Sequence, residues 1–159
     1  MTETSTILTI STIAEISIKS IMGVMLLICG VQDIQKKKIY VWMIIVAAVL
    51  IGICVPFCNE ITLPDRVGGV VVGVAMILVS LFTAGKLGLG DGILLCATGL
   101  GLGFWGNLEL LAIALLLAAI VSIVLLILRL ADRKKSIPFV PFILLGYVFI
   151  IISNVRTGV

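Results

Sequence analysis

The sequence predicts an all-α membrane protein, a bundle of six transmembrane helices with both termini on the outer side. Three observations carry that expectation. Of 159 residues, 62% are hydrophobic and 12% charged, with a mean hydropathy of +1.37; a soluble domain carries about 45–50% apolar and about 25% charged residues. The apolar residues fall in continuous runs instead of alternating, which suits helices and not the strands of a transmembrane barrel. The basic residues gather in every second break between those runs.

The first run extends from about Ile16 to Val31, with Lys19 near its outer end, where a long side chain reaches the interface. Glu15 and Lys19 are four apart and share one helical face. The second run is Ile39 to about Phe57 and the third Val67 to Ala84. The fourth, Gly92 to Trp105, is short and rich in glycine. It falls below the usual length of about 17–25 residues, so tilt, local thinning or neighbouring helices must accommodate it. The fifth is Leu108 to Leu130 and the sixth Ile137 to about Ile152. Gly69/Gly73 and Gly99/Gly103 have the small-xxx-small spacing that lets helix backbones approach closely. Met1 to Ser11 is rich in Thr and Ser, has no basic stretch and carries Glu3, so no cleavable signal is expected there.

Lys36, Lys37 and Lys38 follow the first run, Lys86 the third, and Arg129, Arg133, Lys134 and Lys135 the fifth. That puts eight of the eleven basic residues on one side, and by the positive-inside rule those three breaks are cytoplasmic. The chain is expected as one multi-pass domain, residues 1–159, in the cell membrane. Trp42 and Trp105, near span ends, are expected as interfacial anchors, and Glu60 and Asp65 as solvated loop residues.

Composition excludes several chemistries. A net charge of +3 is too small to argue for nucleic acid. The chain has no histidine, which removes Ser-His-Asp and Cys-His catalysis and the HExxH zinc site. Cys29, Cys54, Cys58 and Cys96 offer one close pair and no second pair for a zinc site, so no metal or cofactor is expected. Ser17, Lys19 and Ser20 formally allow a Ser-Lys dyad, but they lie at the outer end of the first run with no flanking domain to form a cleft.

Two aspartates stand out. Asp33 lies at the cytoplasmic end of the first run and Asp91 at the cytoplasmic start of the fourth, within Gly88-Leu-Gly90-Asp91. The lysine-derived topology places both at one depth on one face. Asp33 alone reads equally as a helix-end acid beside lysines, and Asp91 as a helix cap. Gly88 and Gly90 favour a further role, because a cap needs only the acid, whereas seating a carboxylate against another helix needs small neighbours. Two carboxylates that meet cannot both ionise easily and so share a proton. The ionised member can then deprotonate water while the protonated one polarises a peptide carbonyl.

These residues resemble the type IV prepilin peptidases. Gly88-Leu-Gly-Asp91 is similar to that family's GxGD segment, Asp33 with Ile39 six positions on resembles its first motif, and Pro138-Phe139-Val140-Pro141-Phe142 resembles its Pro-Phe-x-Pro-Phe stretch. The resemblance covers about residues 16 to 155. It implies an aspartic endopeptidase that removes the short basic leader of prepilin-like precursors at the cytoplasmic membrane face. Asp33 and Asp91 would be catalytic, Gly88 and Gly90 the supporting backbone, and Ile39, Pro138, Phe139, Pro141 and Phe142 substrate-side residues. Its partners would be the precursor, with its apolar helix, and the lipid bilayer. Tyr40, Ile93 and Val140 depart from the Pro, Lys and Gly common at those places. The paired CxxC motifs of longer, methylating members are missing, which implies peptidase activity alone. Two other readings use the same acids: a small transporter or channel component binding an ion, and a non-catalytic secretion-assembly protein in which they cap helices. A presenilin-like GxGD protease is a nearer alternative, without its Pro-Ala-Leu motif.

Overall fold

The computed structural model describes residues 2–36, 40–58, 61–83, 88–128 and 138–157. Every α-helix in it contains at least part of an apolar run, and no strand occurs among the described residues. Five α-helices follow one another among the described residues: α1 (Thr2–Lys36), α2 (Val41–Cys54), α3 (Leu63–Phe82), α4 (Leu89–Ile127) and α5 (Val140–Thr157). Among the described residues, three segments are long and apolar enough to cross a membrane, Thr9–Gln35, Leu63–Phe82 and Leu89–Ile127, and Val41–Phe57 and Val140–Asn154 are shorter apolar helices.

Helix ends follow local chemistry. α2 gives way to a 3-10 turn at Val55–Phe57, because Pro56 has no N–H to continue the ladder; Cys58 N–H closes the turn on the Val55 carbonyl at 3.1 Å. α3 opens after an extended Thr62 with Pro64 and Asp65 in its first turn, where a missing N–H costs nothing and a negative charge meets the positive end of the helix dipole. α1 starts well before Ile16, at Thr2. Glu15 and Lys19, four apart on one helical face, form an ion pair. Asp65 is a half-buried helical residue and not a solvated loop residue. Trp42 and Trp105 are strongly exposed.

The stretch expected as the fourth and fifth runs is continuous in α4, interrupted at Gly103, whose φ of 73° and ψ of −172° are not helical. Asn107 Nδ2 donates to the Leu95 carbonyl at 2.9 Å. Twelve residues of straight helix would separate those groups by about 18 Å, so the chain doubles back at Gly103. The reversal falls earlier than the break expected at Trp105–Asn107.

Two compact units form. One comprises Met1–Met25 and Tyr40–Leu108, the other Leu26–Ile39 and Glu109–Val159. In the first, α3 and the first arm of α4 run antiparallel in close contact. A Cβ on Gly69 would collide with the Gly99 carbonyl, one on Gly73 with the Cys96 backbone, and one on Gly92 would lie 3.0 Å from Ile77 N. Partner numbers therefore rise along one helix as they fall along the other, and the small-xxx-small glycines are the contact. In the second unit, a Cβ on Gly30 of α1 would lie 3.8 and 4.0 Å from Leu144 and Val140 of α5, and one on Gly146 of α5 3.4 and 3.3 Å from Leu110 and Ile113.

Candidate active site

Asp33 lies in the last turn of α1, three residues beyond Gly30, and is 9% exposed. Gly30 brings the start of α5 close at that level. The Val140 backbone N–H donates to Asp33 Oδ2 at 3.1 Å. Among the described residues this is the one hydrogen bond of the Asp33 side chain. It supplies a charge-capable acceptor to the first amide of α5, where the helix dipole is positive. Val140, a departure from the motif in side chain, acts here through its backbone.

Asp91 lies in the first turn of α4 and is half-buried. Its N–H bonds the Gly88 carbonyl at 3.1 Å. The carboxylate folds back over Gly88, so that a Cβ there would sit 2.7 Å from Oδ2. Gly88 thus leaves room for the acid itself. Gly90 is half-buried in the same turn. The residue after Asp91, Gly92, packs against Ile77 of α3, so the glycine ladder fixes the height of Asp91 along α3.

Asp33 and Asp91 fall in different units. Pro138, Phe139 and Pro141 are half-buried and Phe142 is buried at the start of α5, beside the amide that holds Asp33. Ile39 lies outside the described residues, as do Lys37, Lys38, Lys86, Arg129, Arg133, Lys134 and Lys135 of the breaks that set the orientation.

Among the described residues, Asn107, Thr98 and Arg66 are buried polar groups that no expected site includes. Asn107 donates to the Gly69 carbonyl at 2.8 Å as well as to Leu95, and accepts from the Thr98 hydroxyl at 2.8 Å. Arg66, 2% exposed, donates from Nη1 to the Leu100 carbonyl at 2.6 Å and from Nε to Ile61 at 3.4 Å. Its partner Leu100 lies just before the reversal, where the helical ladder is interrupted. A polar residue close to a glycine-rich apolar run was the available signal for both Arg66 and Asn107.

A comparison with family models matches residues 20–127 to the type IV leader peptidase family. No curated protein and no solved structure matches the chain.

Proposed function

The chain belongs to the type IV leader peptidase family, and we propose that it is an aspartic endopeptidase cleaving prepilin-like precursors at the cytoplasmic face of the cell membrane. Family membership makes it a peptidase, and it has apolar helices long enough to cross a membrane. The observation that carries it is that the matched residues, 20–127, enclose both Asp33 and Asp91. Each of these acids also stands at a helix end with a dedicated backbone neighbour, Val140 N–H or Gly88.

In this reading residues 1–159 act as one transmembrane peptidase domain of six spans, α4 supplying two through its reversal at Gly103. Both termini lie outside. Asp33 and Asp91 share one proton. The ionised carboxylate takes a proton from water as the water oxygen bonds to the scissile carbonyl carbon. The protonated carboxyl donates to the carbonyl oxygen and stabilises the charge that develops there. Collapse of the tetrahedral intermediate breaks the C–N bond, and the amine leaves with a proton returned by the dyad. The precursor is a chain with a short basic leader, a glycine and a long apolar helix that lies in the bilayer beside the bundle. A bond just outside the hydrocarbon is one that water can reach.

Co-expression with such a precursor tests the proposal. The wild-type chain is expected to remove the leader, visible as a mobility shift on a gel. Asp33→Asn and Asp91→Asn are each expected to abolish the shift while the protein still accumulates in the membrane. Full processing by either variant contradicts the dyad, and an ion-transport or helix-capping role for the acids would then explain them better.

A further inference from the structure

The donors in the first turn of α5 can be accounted for one by one. Pro141 has none. The amides of Phe142 and Ile143 both donate to the Phe139 carbonyl, at 3.0 and 3.3 Å. Val140 N–H is left for a partner outside the helix, and it donates to Asp33 Oδ2, 107 positions away in sequence, at 3.1 Å. The setting is dry: Val140 is 0% exposed and Asp33 9%. Gly30, one turn before Asp33, lets the side chains of Val140 and Leu144 come within 4.0 Å of a Cβ position, which brings the α5 N-terminus to the carboxylate.

We infer that the Val140 backbone amide is a positioning group for the peptidase reaction, holding Asp33 Oδ2 so that Oδ1 is the oxygen presented to water. The inference rests on the proposed catalytic role of Asp33 and adds to it a task for the Pro138–Phe142 segment. That segment supports the acid through its backbone as well as lying where substrate-side residues were expected. Pro141 contributes by lacking an N–H, so that no second amide of the first turn competes for the same carboxylate. The side chain at 140 is free to vary between Gly and Val in this scheme, because the working atom is a backbone nitrogen that only proline lacks.

The test compares purified full-length protein in detergent, acting on a precursor with a basic leader, as wild type, Val140→Pro and Val140→Ala. Proline is accepted at the first position of a helix and deletes the N–H; alanine keeps the N–H and removes the packing. Val140→Pro is expected to lower kcat by about 10- to 100-fold, the order that misplacing a reacting group by about 1 Å costs, with KM within about twofold. Val140→Ala is expected to turn over at least tenfold faster than Val140→Pro. Equal losses in both variants, or wild-type kcat in Val140→Pro, overturn the inference. If Val140→Pro does not fold, replacing residue 140 by its α-hydroxy acid turns the amide into an ester with the same side chain, and the same kcat loss is required of it. Asp33→Asn is assayed alongside. If it retains cleavage, the dyad itself fails; if it is inactive while Val140→Pro is fully active, only the role of the amide fails.

Discussion

Asn107 hydrogen-bonds the carbonyl of Leu95, twelve residues earlier, at 2.9 Å across the reversal at Gly103. The same amide group reaches Gly69 of α3 at 2.8 Å, and its oxygen takes the Thr98 hydroxyl. One side chain therefore ties three segments of the first unit together where water is scarce. Interhelical hydrogen bonds in membrane proteins contribute on average about 0.6 kcal/mol each, with a maximum near 1.7, and an orphaned buried acceptor adds to the loss. Asn107→Leu is expected to destabilise the protein by about 1–3 kcal/mol, read as a lower Tm in detergent. An unchanged Tm would show that the reversal stands without it.

The glycine ladder gives a contrast within one set of substitutions. Gly69→Ala, Gly73→Ala and Gly99→Ala each drive a methyl into backbone atoms of the facing helix, which cannot retreat as a side-chain tip can. Each is expected to cost about 1–3 kcal/mol. Gly52 in α2 has nothing within 4 Å of a Cβ position, so Gly52→Ala is expected to be neutral or to stabilise by up to about 1 kcal/mol through helix propensity. Thermal unfolding of the four variants side by side checks the ranking.

Gly88 separates stability from activity. The atom a new methyl would meet is Asp91 Oδ2, 2.7 Å away, and a carboxylate can swing aside. Gly88→Ala is expected to leave Tm close to wild type yet lower kcat/KM by about tenfold or more, because a displaced acid loses its alignment. A wild-type rate would mean that the position of Asp91 over Gly88 does not matter to cleavage.

What the sequence displayed and what it concealed divide along physical lines. Apolar runs are local, so α2, α3 and α5 lie close to where hydropathy puts them, and Gly69, Gly73 and Gly99 advertise close packing by their spacing. Asp33 and Asp91 are legible as acids at span ends. The α-helical stretch from Thr2 was not, because Thr and Ser carry little hydropathy signal. The reversal at Gly103 was displaced because Gly101, Gly103 and Gly106 are each able to turn the chain, and only tertiary contacts select among them. Arg66 stands just before the third apolar run, and its burial depends on the Leu100 carbonyl, 34 positions away. Val140 was concealed most completely: its contribution to Asp33 is a backbone N–H, which no side-chain pattern records.

The proposed dyad requires Asp33 and Asp91 to be neighbours when a precursor is bound. Its most direct test is cysteine bridging in Asp33→Cys/Asp91→Cys, with Cys29, Cys54, Cys58 and Cys96 replaced and precursor present. Gly68→Cys/Phe104→Cys, with the same four cysteines replaced, serves as the positive control, since a Cβ on Gly68 would lie 3.1 Å from Phe104 Cβ, close to disulfide spacing. A disulfide or a one-carbon thiol bridge between positions 33 and 91, recovered as a linked peptide by mass spectrometry, is the expected result. Efficient bridging in the control with none between 33 and 91 would contradict the account.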